Sequence, residues 1–380
     1  PADEPGAGGP GALDPPAVAF ESPLDPAATR RGFFAWTGAA AAGAAVAGGV
    51  GRRLSGATSK VEEARAQVTL PPLPAPEPPA GRLDDVAGIS PYLTPNGEFY
   101  RIDTALVTPR VDPSSWRLKV RGLVERPFAL SFDELLALPS ISQAVTIACV
   151  SNEVGGELVG NAVWQGVPLA ELLDRAGVGA DATQVVGRSV DGWTGGFPTE
   201  IALDGRPAMV AYAMNGEPLP VRNGFPARLI VPGLYGYVSA TKWLTEIELT
   251  RLDRFDGYWI PRGWSKLGPI KLQSRIDTPR ADDVRRAGPV AVAGVAWAPT
   301  RGISGVEVRI GDGAWLPARL GPALSDLTWV QWVFDWDAAP GQHRITVRAI
   351  DGDGSIQTAD RAPVVPNGAT GLHAIWVTVE

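Results

Sequence analysis

One thiol is available for chemistry in the whole chain, Cys149. It closes the apolar run Thr146-Ile-Ala-Cys-Val-Ser-Asn152 and precedes Gly155-Gly156, so a strand delivers it to a turn. A single cysteine excludes an intramolecular disulfide and any zinc site built on two thiolates of this chain. The only imidazoles, His343 and His373, come late, so a Ser-His-Asp or Cys-His nucleophile would need one of them to reach back across the fold. On position alone Cys149 has two readings, an inert core thiol or a soft ligand for a metal. Downstream of it, polar residues gather in four compact motifs. These are Gly160-Asn-Ala-Val-Trp-Gln-Gly-Val-Pro-Leu169, Ala211-Tyr-Ala-Met-Asn-Gly216, Asn223-Gly-Phe-Pro-Ala-Arg228 and Gly236-Tyr-Val-Ser-Ala-Thr-Lys-Trp-Leu244.

The elements that must position these residues are short. Among 380 residues there are 45 Gly and 36 Pro, roughly a fifth of the chain where about an eighth is usual, which argues against a long helical bundle. Hydrophobic residues at 45% leave enough apolar matter for sizeable cores, and 13 Trp point to rigid, buried β structure. A net charge of −7 disfavours a nucleic-acid partner, whose phosphates need a basic face. Strand patterning is expected over Trp116–Arg121, Gln143–Ala148 and Arg228–Pro232. A capping box at Ser131 opens a helix over Phe132–Leu138, and a helix over Leu169–Ala176 stops at Gly177. The pattern predicts an α+β fold, with short helices among a mixed sheet, over 84–278. From 279 the helix signals stop. Strands over Val290–Trp297, Val306–Ile310, Arg344–Ile350 and Ile375–Val379, with a Val330/Trp332/Phe334/Trp336 alternation, predict an all-β, immunoglobulin-like sandwich over 279–380.

Residues 1–28 read as a disordered lead. Thr29-Arg30-Arg31-Gly32-Phe33-Phe34 and the uncharged Ala/Gly run to Val50 resemble a twin-arginine export signal. An uncleaved membrane anchor, a buried helix and an Ala-rich linker are the readings open for that run. Leu70–Ala80 reads as a polyproline spacer holding a folded body away from a membrane, the body itself starting near Asp84. An exported, extracytoplasmic, membrane-associated protein is the expectation.

Taken together, the four motifs and Cys149 resemble the sulfite oxidase family of molybdopterin-dependent oxidoreductases, over about residues 84–278; the following sandwich resembles the dimerisation domain of true sulfite oxidases, which implies a homodimer. The resemblance implies a molybdenum–molybdopterin cofactor with Cys149 as the metal's protein ligand and oxygen-atom transfer on a small-molecule substrate. It also implies a separate redox carrier, a cytochrome or membrane subunit, since no Cys-x-x-Cys-His is present. Asn223, Arg228, Ser239 and Lys242 match the family's pterin-side positions, Arg228 being suited to a bidentate phosphate contact. Ser189 and Arg101 match by weaker context, and Tyr212 corresponds to the substrate-side tyrosine. Each has a plainer reading: Arg101 as a surface partner of Asp103, Ser189 as a strand end, Lys242 as a solvated charge, Tyr212 as a buried core hydroxyl.

Two departures concern the substrate. Sulfite oxidases carry an Arg close after Cys-x-x-Asn, where this chain has Glu153-Val154, and His-Gly-Phe-Pro where it has Asn223-Gly-Phe-Pro. Asn there is similar to periplasmic protein-methionine-sulfoxide reductases, which lack the sandwich. A pocket less cationic than that of a sulfite oxidase follows, with Glu153 repelling an anion and a neutral substrate such as a sulfoxide preferred. The alternative class is a metal-free extracellular binding module that retains the fold.

Overall fold

The strands start and stop where turn chemistry allows, and they assemble into four sheets in the computed structural model. It describes residues 60–380; the stretch read as a lead, the twin-arginine segment and the Ala/Gly run lie outside the described residues. The first sheet orders Phe128–Ser131, Arg117–Gly122, Leu244–Thr250, Gln184–Ser189 and Thr194–Pro198. Arg117–Gly122 runs parallel to Leu244–Thr250 while the other pairs are antiparallel, so the sheet is mixed. The second orders Ile141–Ala148, Val159–Pro168, Met209–Met214 and Glu217–Pro218, with Arg228–Ile230 pairing Met209–Met214. One apolar core fills the space around both.

Helices are few and short, so the fold is mostly β. The Ser131 capping box forms as expected: Ser131 Oγ accepts from Glu134 N–H at 3.2 Å and Ser131 N–H donates to Glu134 Oε2 at 2.7 Å. The helix it opens, Phe132–Leu136, is nonetheless shorter than predicted, because Ala137 already closes it. Leu169–Ala176 buries Leu169, Leu172, Leu173 and Ala176 and ends at Gly177, whose φ of +68° a side chain would resist.

The late strands pack as two facing sheets. One orders Gln273–Thr278, Gly288–Trp297, Val330–Ala338 and Arg319–Leu320; the other orders Val284–Arg285, His373–Val379, Gly341–Asp351, Ile303–Ile310 and Leu316–Pro317. Alternate side chains such as Val292, Trp332, Val347 and Val377 meet between them in a separate core. Gln273–Thr278 pairs with Gly288–Trp297, so the sandwich takes its first strand from just ahead of residue 279.

The proline-rich Leu70–Ala80 segment is anchored to the body at its start, through Leu70 and Pro71, and the residues flanking it on either side are anchored too. Arg65 Nε donates to Leu219 O at 2.8 Å, Gln165 Nε2 donates to Pro71 O at 2.8 Å, and Leu83 N–H donates to Gln331 Oε1 at 2.8 Å. Leu83 packs with Ala293 and Val333 of the sandwich. Among the described residues no helix is long and apolar enough to cross a membrane.

Candidate functional site

Pairing of Ile141–Ala148 with Val159–Pro168 makes a hairpin, and Cys149 is the first residue of its loop. Cys149 N–H donates to Leu158 O at 2.9 Å, and Asn152 Oδ1 accepts from Leu158 N–H at 2.7 Å, so the loop is laced closed behind the thiol. The sandwich holds the loop's far side. Arg275 Nη1 donates to Gly156 O at 2.9 Å and Nη2 to Ser90 Oγ at 2.8 Å, while Nε pairs with Asp277 at 2.6 Å. Gly155 sits against His373 so closely that a Cβ there would lie 2.3 Å from Cδ2.

Cys149 opens onto a cavity that, with its open mouth included, encloses about 870 Å³. Burial pushes the thiol's pKa up, opposed by hydrogen bonds from Ser151 and by the Lys242 charge. Ser189, Asn223, Arg228 and Lys242 line the same cavity, although the chain positions of these residues are far apart. Asn223 comes from the turn Val221–Asn223 and Arg228 from the start of its strand, with Gly224 between them at φ +114°. A Cβ on Gly224 would lie 3.1 Å from Lys242 Cα and 3.2 Å from Arg228 Cβ, so only glycine lets the three segments approach this closely. Trp243 donates from Nε1 to Val221 O at 2.8 Å and is held at φ +47°, strained backbone beside the site.

The floor of the cavity is polar and unfinished. Ser189 Oγ, Asn223 Oδ1 and Arg228 Nε are buried without a protein partner. Arg228 is 5% exposed and has no carboxylate beside it; Nη1 donates to Asn223 O at 3.0 Å and the guanidinium lies 5.1 Å from the Trp164 ring. Burial lowers its pKa to about 10, which leaves it charged at neutral pH. Buried polar groups are ordinarily satisfied, so this set fits an incoming polar ligand carrying an anion. Lys242 Nζ instead pairs with Asp103 Oδ2 at 2.8 Å; burial pulls the ammonium down to about 8, against the pull of Asp103. Burial raises the Asp103 pKa, but hydrogen bonds from Arg101 and Lys242 outweigh it and hold the carboxyl below its usual value.

Three expected residues lie away from the cavity wall. Arg101 does not line the cavity: its side chain is 39% exposed and Nε pairs at 2.8 Å with Asp103, which does. Ser239 Oγ donates to Tyr235 O at 3.0 Å, satisfied inside its own helical turn. Tyr212 is fully buried on Met209–Met214, its hydroxyl within 3.3 Å of Gln165 Nε2, so it is a core residue and not a cavity one. Glu153 is exposed on the loop and does not line the cavity either. The carboxylates that do are Asp103 and Asp191, and the aromatic wall includes Tyr100, Trp193, Tyr237, Trp259 and Trp264. Sequence reasoning gave none of these a role at the site: Tyr237 stands within the Gly236–Leu244 motif, and the rest are scattered over three further segments.

Among the described residues no cluster of three or more His, Cys, Asp or Glu could hold a metal. A metal here would therefore need ligands from a cofactor besides Cys149, and a dithiolene pterin with a phosphate tail fits both the thiol and the unsatisfied floor. The described site agrees with what the chain resembles. The profile of the oxidoreductase molybdopterin binding domain matches residues 105–259. The uncharacterized oxidoreductase YuiH of Bacillus subtilis is 35% identical over 188 residues, covering 49% of this chain and 91% of that protein. The mitochondrial sulfite oxidase of Homo sapiens is 27% identical over 322 residues, 72% of this chain, and the match spans 58% of that protein. The sulfane dehydrogenase SoxCD from Paracoccus pantotrophus shares the fold, with a TM-score of 0.67 over 76% of this chain and 82% of its own at 24% identity. The chain belongs to the sulfite oxidase family of molybdopterin-dependent oxidoreductases, and its cofactor is molybdenum–molybdopterin.

Proposed function

We propose that this oxidoreductase exchanges an oxygen atom with a neutral or weakly charged small substrate, a sulfoxide and its thioether, at a molybdenum ligated by Cys149. The carrying observation is the placement of the thiol on one cavity with three unpartnered buried polar atoms. When bound, the molybdenum cofactor supplies two-electron oxygen-atom exchange at a sulfur-held metal. Arg228, Asn223 and Ser189 would hold the polar body and phosphate of the pterin, and Lys242 with Asp103 closes one wall. The aromatic rings exclude water from the mouth. In the reducing direction the sulfoxide oxygen leaves as water, taking two protons, and two electrons arrive from a separate carrier such as a cytochrome.

Substrate charge is argued from the wall. Lys242 is neutralised by Asp103, Arg228 lies in the floor, and Asp191 adds a further negative charge. An anion such as sulfite would meet a carboxylate while the Arg228 guanidinium is taken up by the cofactor's phosphate, each costing on the order of 1–3 kcal/mol, which corresponds to at least a tenfold loss of kcat/KM. A metal-free binding module would keep a buried Arg228 charge uncompensated for no purpose, so the family's enzymatic reading is preferred. The body comprises a catalytic part from 84 to near 278 and an immunoglobulin-like sandwich after it, through which two copies pair. The Arg30-Arg31 segment motivates export and membrane association. Steady-state kinetics with sulfite and with sulfoxides on molybdenum-loaded protein test the reading, and a higher kcat/KM for sulfite would overturn it.

A further inference from the structure

The cavity has two chemistries. Its floor carries the unpartnered atoms of Ser189, Asn223 and Arg228, all buried. Its outer wall carries Tyr237, Trp259 and Trp264, the two indoles being half-buried and so nearer solvent. Tyr237 and Trp264 have ring centroids 5.8 Å apart at 47°, and Trp259 and Trp264 6.3 Å apart at 76°. The helical turn bearing Tyr237 stands beside the thiol: a Cβ on Gly236 would lie 3.9 Å from the carbonyl oxygen of Ala148.

These rings are fixed in place. Tyr237 Oη donates to Ser265 O at 2.6 Å, and a Cβ on Gly268 would lie 2.8 Å from Tyr237 Cε1, so the 265–268 loop presses on the phenol. The longer 258–268 segment that contains it is tied at both ends, by Tyr258 N–H to Thr194 O at 2.9 Å and Tyr235 N–H to Gly268 O at 2.7 Å. Ser265 N–H also donates to Pro366 O of the sandwich at 2.8 Å. A pre-ordered aromatic corner binds without first losing loop entropy.

We infer that Tyr237, Trp259 and Trp264 form an aromatic subsite that takes an aryl substituent of the substrate, so that the preferred molecules are aryl sulfoxides or aryl thioethers; this rests on the sulfoxide–thioether reading above. Two indoles set nearly edge to face leave a corner that a third flat ring fills by stacking on one and meeting the other edge-on, which an alkyl group of equal area does not match. Among the described residues the cations lining the cavity are Arg228, in the floor, and Lys242, paired with Asp103, so the substituent at the aromatic end is uncharged.

The test is calorimetric binding to oxidised, cofactor-loaded protein without reductant, using methyl phenyl sulfoxide, dimethyl sulfoxide and tetramethylammonium. Methyl phenyl sulfoxide is expected to bind at least about tenfold tighter than dimethyl sulfoxide. Trp264→Ala brings that ratio close to one, and Trp264→Phe keeps most of it, with molybdenum and pterin content equal in all three proteins. Equal affinities for the two sulfoxides in the unmodified protein overturn the subsite. Tighter binding of tetramethylammonium also overturns it, in favour of a cation cage. Loss of pterin from Trp264→Ala overturns it in favour of stacking on the cofactor. If the aryl preference holds but the reduced enzyme leaves methyl phenyl sulfoxide unchanged, the subsite stands and the assigned reaction falls.

Discussion

Replacing Arg228 with methionine should have opposite consequences in the empty and the loaded protein. A guanidinium pKa lowered from its usual value to about 10 means that burial costs the charged form roughly 3 kcal/mol. The unfolded chain binds the proton more tightly than the native one. Stability therefore rises as pH climbs from about 10 toward the usual guanidinium value, and the whole cost is present at pH 7. The Arg228→Met variant would be free of that cost but would lose the Nη1 bond to Asn223 O, about 1 kcal/mol, and the contact with Trp164, about 1–2 kcal/mol. The sum leaves the empty protein within about 1 kcal/mol of its original stability, or a few degrees in Tm. In the loaded protein the same change removes charge-assisted hydrogen bonds to the pterin phosphate, about 1.5–3 kcal/mol each, and should speed pterin release by at least tenfold. Thermal melts of protein made with and without molybdopterin, together with pterin release followed by fluorescence, check both halves. If the empty variant loses about 3 kcal/mol or more, or pterin release is unchanged, Arg228 is a structural residue and the account of the cavity floor is wrong.

Three other outcomes are expected. Cys149→Ser protein should purify folded but without stoichiometric molybdenum; metal analysis showing one molybdenum per chain with full turnover would contradict the ligand assignment. Asp103→Asn should lower the Lys242 pKa below about 8, since burial persists while the stabilising carboxylate is gone; the pH dependence of amine labelling reads the change, and an unmoved profile would show that the pair does not persist in solution. Gly155→Ala should force the hairpin loop off His373, because its Cβ would overlap the imidazole at φ +81°. Hydrogen exchange over 150–158 should then rise well above that of the unmodified protein, and unchanged protection would mean that the sandwich does not brace the loop.

By itself, the sequence determined what depends on neighbours along the chain. The Ser131 capping box, the Gly177 stop and the alternation of Val330–Ala338 appear where local hydrogen bonding and a period of two place them. The thiol, Asn223, Arg228 and Lys242 were legible because compact motifs carry them, and all four line one cavity. Only tertiary structure decided the rest, for a physical reason: whether a side chain meets the cavity depends on strand register and on which hydroxyl or carboxylate finds a partner first. Tyr212 is spent on the core, Ser239 on its own helical turn and Arg101 on Asp103, while Glu153 points to solvent. Tyr237, Trp259 and Trp264 come together because the 258–268 segment folds back over the helical turn at 236–239. The proline-rich segment reads locally as a free spacer, and only the distant partner Gln165 ties its start, at Pro71, to the body.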